Sequence, residues 1–356
     1  MIDQFPYYHP TKVILIDDDI SFLDSLSRHI DKEILFKCYA DVSEALADIN
    51  TLHHPGIYET CRGIPTDEAG SLSTQLVPWD FSNLKEEALN AYRFHETSVV
   101  IVDYLMPSIN GLELCSRIQR PEIRKILLTG VFDTSDAINA LNDGVICGYL
   151  NKNDTNLSEK LNNIIQKQQQ AYFREVSKRF YCSGAVIPDF MFEDAFADYF
   201  SEICRDNNIK EYYLTTESNG FVLFGENKHD YYRLLVYSTE DIRAQWEIAE
   251  SQYAPAELIK KLAVADVIPD FWKTSGTYDP AYASNWQNFV FVPGKIIQGT
   301  RQTYYCHLQY RPPAYKNFSN SMTDLNTSRQ EMINNGTLTT GIPLKGFESN
   351  GAYLKR

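Results

Sequence analysis

The chain has 356 residues, 44% of them hydrophobic, and a formal net charge of −14 at pH 7. This is long for one domain and predicts two, each able to bury a core; the acidic balance speaks against a strongly basic nucleic-acid-binding protein. No apolar run reaches about 18 residues and the first six residues lack the basic and apolar regions of a signal peptide, so a cytoplasmic protein with no membrane partner is expected.

In chain order, the apolar run Val13–Ile16 reads as a strand and delivers Asp17, Asp18 and Asp19, the last placed to cap a helix from Ile20 whose stripe is Phe22, Leu23, Leu26 and Ile30. Ile34 to Phe36 reads as a second strand, and Asp41 to Glu44 as a capping box opening a second helix. From Leu52 to Asp80 no period holds; His53, His54, Cys61 and His95 fit no standard metal spacing. A helix capped by Ser82, with Leu84, Ala88, Tyr92 and His95 on one face, leads into a third strand, Val99–Val102, followed by Asp103. Ile126–Leu128 ends in Thr129 and Gly130, and Tyr149 to Asn151 ends in Lys152. Asn156 to Glu159 reads as a further capping box, starting a helix that continues to about Arg179 and offers Leu161, Ile164 and Tyr172 as a pairing seam.

Four of these strands deliver acidic, hydroxyl or basic groups at their carboxyl ends, where ligands of open parallel α/β sheets bind. Gathered carboxylates repel one another, and a hard cation such as Mg²⁺ relieves that repulsion while bridging to phosphate oxygens. A carboxylate beside such a site can accept a phosphoryl group as a mixed anhydride, with an ammonium and a hydroxyl on the phosphoryl oxygens. Gly130 leaves room for the group.

Residues 10 to 175 resemble the receiver domain of two-component response regulators, in residue type, order and local context. The resemblance implies a flavodoxin-like, doubly wound parallel sheet of five strands in the order 2-1-3-4-5. It implies Asp17 and Asp18 as the metal-binding pair, Asp103 (followed by Tyr-Leu-Met-Pro-Ser-Ile-Asn-Gly111) as phosphoacceptor, and the backbone carbonyl of Leu105 as a further metal ligand. Thr129 and Tyr149 match the switch hydroxyl and aromatic, and Lys152 the active-site lysine. It further implies Mg²⁺ as cofactor, a sensor histidine kinase as partner, and a homodimer on phosphorylation. Two departures stand out: Asn153 follows the lysine where most of the family has proline, and an insertion separates the second strand from the third. Leu105 and Val131, apolar at the positions best placed to orient an attacking water, predict slow self-dephosphorylation.

The second half reads as α+β: a helix after Asp189 carrying Phe196, Tyr199, Phe200, Ile203 and Cys204, then strands flanking Asn219 and Gly220, a third strand at Tyr231–Tyr237, and a helix from Ser238 through Trp246. A short helix after Pro255 and strands at Phe289–Val292 and Thr303–Tyr310 follow. The order is similar to the core of the PD-(D/E)xK nuclease-like fold, yet the Glu-x-Lys spacing occurs only at Glu226 to Lys228, in a turn. Residues 271–356 hold 9 basic against 4 acidic groups with tyrosines interleaved, the one stretch that could offer a nucleic-acid surface. The expected domains are a receiver at 1–155 with an insertion at 52–96, its last helix and linker at 156–180, an output domain at 181–310 and a polar tail at 311–356. The output is expected to be noncatalytic and to bind protein or nucleic acid; the alternative is an enzyme acting on a nucleotide or nucleic acid. Seven scattered cysteines without a C-x-x-C pair predict reduced, packed thiols.

Overall fold

A computed structural model of the chain describes residues 5–51, 84, 87–88, 90, 93–130, 134–182, 187–215, 219–227 and 229–315. The described residues within His9–Gly56 and Asn90–Arg179 form one compact unit, and those within Met1–Tyr8, Ile57–Leu89 and Phe180–Asn320 another. Most of the expected insertion, and the tail from residue 316 on, lie outside the described residues.

After a two-residue strand β1 (Tyr7–Tyr8), the first unit begins with β2 (Lys12–Ile16) and continues with β3 (Leu35–Tyr39), β4 (Thr97–Asp103), β5 (Arg124–Thr129) and β6 (Gly148–Asn151). These five strands are parallel and ordered β3-β2-β4-β5-β6, the expected 2-1-3-4-5 arrangement. Their unbroken apolar runs follow from burial on both faces. Successive side chains alternate between two cores. Val13, Leu15, Val99, Ile101, Ile126 and Leu128 pack with Leu23 and Leu26 of α1 (Ile20–Ser27). Ile14, Ile16, Val100, Val102 and Leu127 pack with Ala45 and Ile49 of α2 (Val42–Asn50), Leu114 and Cys115 of α3 (Gly111–Arg117) and Ala140 of α4 (Thr134–Asn142). The helix starts are set by short polar side chains: Asp19 accepts from the N–H groups of Ser21 and Phe22, Asp41 from Glu44 and Asn110 from Glu113.

The last helix of this unit, α5 (Leu157–Cys182), is 26 residues long. Its length was foreseen, but its exposed seam was not found. Leu161 and Ile165 are fully buried in the first core with Ile164 packed beside them. Two turns on, Arg124 Nε donates to Gln168 Oε1 at 2.9 Å, Gln169 Nε2 donates to Thr11 Oγ1 at 3.2 Å, and the Tyr172 hydroxyl donates to Glu96. His9 Nε2 lies 3.1 Å from the other Glu96 oxygen, and its ring meets Phe173 edge-on. Leu161 and Tyr172 therefore belong to the receiver-like core and cannot serve as a pairing seam without being unpacked.

In the second unit α6 (Asp194–Asp206) precedes β7 (Ile209–Thr215), β8 (Gly220–Gly225) and β9 (Tyr231–Ser238); α7 (Thr239–Ser251), α8 (Ala256–Ala263), β10 (Ile268–Pro269), β11 (Val290–Phe291), β12 (Lys295–Gln298) and β13 (Thr303–Tyr310) follow. One antiparallel sheet runs β1-β7-β8-β9-β13-β12, and β10 pairs with β11. Residues 7–8, expected within the first domain, thus lie at the edge of the second unit's sheet, Tyr7 opposite Tyr213 and Tyr8 opposite Tyr212. Phe196 and Phe200 of α6 cover one sheet face, with the Phe200 ring 4.6 Å from that of Phe221 and 4.9 Å from that of Tyr212. Gly220, expected in a two-residue turn, is instead the first residue of β8: a Cβ there would sit 1.8 Å from the Leu234 carbonyl oxygen, so close strand approach requires glycine. Ser238 and Asp241 form a reciprocal capping box at the start of α7.

Candidate functional site

The carboxyl ends of β2, β4, β5 and β6 bring Asp17, Asp18, Asp103, Thr129 and Lys152 to one edge of the parallel sheet. One carboxylate oxygen each from Asp17, Asp18 and Asp103 lies within 4.8 Å of the others. Asp17 and Asp103 are buried and Asp18 is exposed. Lys152 Nζ stands 2.6 Å from Asp17 Oδ2 and 2.9 Å from Asp103 Oδ1, one cation shared by two carboxylates. Burial pushes the Asp17 carboxyl above the ordinary carboxylate range and the Asp103 charge adds to this; Lys152 and the Asp19 N–H, 3.0 Å from Asp17 Oδ1, oppose it. Burial opposes charge on Lys152 as well, but contact with Asp17 and Asp103 outweighs it and holds the ammonium above the usual lysine range. The Phe22 ring lies 4.6 Å from the same ammonium.

Backbone packing fixes Asp103. Gly111 donates to the Tyr104 carbonyl at 2.9 Å, and a Cβ on it would fall 2.3 Å from the Asp103 carbonyl oxygen, so only glycine lets α3 start this close to the strand end. Thr129 is buried, and its carbonyl accepts the Lys152 N–H at 2.8 Å. Gly130 would carry a Cβ with only ordinary contact to the Lys152 stem, so space is open beside it. The donor set is all oxygen and acidic, which suits a hard divalent cation.

Residues 80–165 match the response regulator receiver domain family. This unit is a response regulator receiver domain. The response regulator LqsR of Legionella pneumophila is similar at 25% identity and a TM-score of 0.67, over 87% of this chain and 90% of that one. An adenylate cyclase from Rhodopirellula baltica is similar at 22% identity over 49% of this chain and 97% of that one, with a TM-score of 0.34. A CheY-like receiver domain protein from Methanospirillum hungatei JF-1 is similar at 18% identity over 47% and 98%, with a TM-score of 0.32. No curated protein matches the chain.

The family match begins inside the segment separating the receiver's second and third strands, so it contains Asp103, Thr129, Tyr149 and Lys152 but not Asp17 and Asp18. Folding brings the latter back, because β2 pairs with β4. Leu105 lies two residues past Asp103 with its side chain 57% exposed; Val131 is outside the described residues. Tyr149 is half-buried in β6 and packs, like Tyr104, against the core under α2, α3 and α4. His53, His54 and Cys61 also lie outside the described residues, and His95 falls in a short 3-10 turn at Arg93–His95. Two contributors escaped the sequence reading: Phe22, taken only for the helix stripe, also faces the Lys152 ammonium, and Gly111 stood in the motif without a role. For Phe22 the signal is a contact between a helix and a residue far away in sequence, and for Gly111 a close backbone approach to the end of the preceding strand.

Proposed function

We propose that Asp103 accepts a phosphoryl group from a sensor histidine kinase, with Mg²⁺ held by Asp17, Asp18, Asp103 and the Leu105 carbonyl. The observation that carries this reading is the single Lys152 ammonium within 3 Å of both Asp17 and Asp103, beside a third carboxylate. An Asp103 oxygen attacks phosphorus, the phosphorus–nitrogen bond of the donor phosphohistidine breaks, and the imidazole leaves with its electron pair and takes up a proton, giving an aspartyl phosphate. The divalent cation supplies charge neutralisation for the phosphoryl oxygens. Lys152 transfers its charge from the carboxylates to the new phosphoryl group, and the Thr129 hydroxyl donates a hydrogen bond to it. That movement of Thr129 and Tyr149 is the switch, read by the second unit.

The second unit is proposed as a noncatalytic output that binds protein or nucleic acid in a cytoplasmic regulator. Support comes from its buried carboxylates, which are engaged in structural contacts. Glu193 accepts from the Thr300 N–H and hydroxyl, both at 2.8 Å, and Asp270 lies 2.8 Å from Arg233. Glu226 sits in the turn after β8 and accepts a hydrogen bond from Asn208 Nδ2 at 2.8 Å. Among the described residues no helix is long and apolar enough to cross a membrane. A homodimer on phosphorylation is part of the same proposal, and its seam excludes Leu161 and Tyr172 of α5, which are buried.

The test is uptake of phosphate from a small phosphodonor, followed by intact mass. One phosphate is expected in Mg²⁺ and none in excess chelator; labelling that ignores the metal would contradict the reading.

A further inference from the structure

We propose that Asn153 is a positioning residue for Lys152 in phosphoryl transfer, an inference that rests on the reading of Asp103 as the acceptor. Lys152 is the first residue beyond β6, and a lysine stem is flexible enough to place its ammonium in many positions. Three bonds restrict where that stem begins. The Lys152 N–H donates to the Thr129 carbonyl at 2.8 Å; the Asn153 N–H donates to Asn151 Oδ1 at 2.8 Å, closing the turn; and Asn153 Nδ2 donates to the Gly130 carbonyl at 3.0 Å. The first of these needs only the main chain. The last exists because residue 153 carries an amide donor.

Together the two cross-strand bonds fasten the Lys152 turn to the strand end that bears Thr129. The Lys152 stem passes over Gly130, with its Cδ 3.9 Å and its Cβ 4.0 Å from where a Cβ on that glycine would be. The ammonium and the hydroxyl that grip one phosphoryl group are thus carried on a single clipped unit. With the clip cut, the root of the stem gains freedom, and the fraction of time the ammonium spends at Asp103 falls while the carboxylates, on other strands, stay where they are. Asn153 touches no reacting atom, so its effect acts through Lys152.

Full-length protein is phosphorylated with a small phosphodonor, and initial rates at saturating donor are measured against Mg²⁺ concentration. A net hydrogen bond is worth about 1 kcal/mol, so Asn153→Ala should slow saturated labelling by about fivefold, with half-saturating Mg²⁺ unchanged. Asn153→Gln retains an amide donor and should label faster than the alanine variant. Thermal melts establish that all proteins are folded at the assay temperature. Three results overturn the inference: an alanine variant labelling at the parent rate, a loss expressed in Mg²⁺ half-saturation alone, or a glutamine variant no faster than alanine. Failure of the unaltered protein to label on Asp103 removes the acceptor reading and this inference with it; parent labelling with an indifferent Asn153 removes this inference alone.

Discussion

The site's side chains are held in an arrangement that costs stability where it serves chemistry. Asp17 binds its proton more tightly in the folded protein than in the unfolded chain, chiefly through burial. Its contribution to stability is therefore present in full below the unfolded carboxylate pKa and is lost as pH rises through the higher folded one. Without metal at pH 7, Asp17→Asn should raise the melting temperature. Added Mg²⁺ should stabilise the parent and not the variant. A variant that melts lower than the metal-free parent would count against the burial cost. Lys152 follows the same rule in a higher range: its folded pKa is also raised, so its contribution is complete below the ordinary lysine pKa and fades as pH rises through the folded one. Gly111→Ala forces a carbon against the Asp103 carbonyl and should cost about 2 kcal/mol or more, read in a denaturant melt. Leu105 is one of the two apolar positions proposed to limit the access of water to the phosphoryl group. Leu105→Asn should speed decay of the phosphorylated protein by about threefold to tenfold after donor removal, since a polar side chain can orient water; unchanged decay would mean that water access is governed elsewhere. At this scale the sequence was most legible: Asp17, Asp18, Asp103, Thr129 and Lys152 each follow an apolar strand run, and strand ends converge in a parallel sheet. The contact of Phe22 with Lys152 and the bond of Asn153 to Gly130 were not legible, because in each the partner lies on another element and local periodicity carries no sign of it.

Among the elements, α5 shows how a correct helix boundary can accompany a wrong face. Its apolar spacing gave the stripe, and the same stripe would serve a pairing seam or a core. Packing of Leu161 and Ile165 and the polar partners at Thr11, Glu96 and Arg124 decide for the core, and those three partners stand just before or at the start of strands, where sequence patterns are weakest. A fragment ending at residue 155 removes Leu161 and Ile165 and should fail to give a cooperative melt, whereas one ending at 179 should melt cooperatively. Tyr172→Phe removes the hydrogen bond to Glu96 while leaving the ring, and should cost about 1–2 kcal/mol; a neutral result would mean that His9 alone satisfies that carboxylate. The two-residue strands β1 and β10 escaped the sequence, because two residues are too few to show alternation, whereas the equally short β11 fell inside the run read at Phe289–Val292.

At the level of the whole molecule, the similarity to LqsR over 87% of this chain extends through both units, whereas the receiver family match covers only residues 80–165. The two-part division follows from length and from the change of period, yet the assignment of residues 7–8 to the second unit's sheet depends on a pairing more than 200 residues apart in sequence. The central claim is that one carboxylate, Asp103, carries the phosphoryl group. An acyl phosphate is reduced by borohydride to an alcohol, so treating phosphorylated protein and sequencing its peptides by mass spectrometry reports the site directly. Homoserine at position 103, and at no other aspartate, is the predicted result. Homoserine at Asp17 or Asp18, or labelling of an Asp103→Asn variant at the parent level, would contradict it.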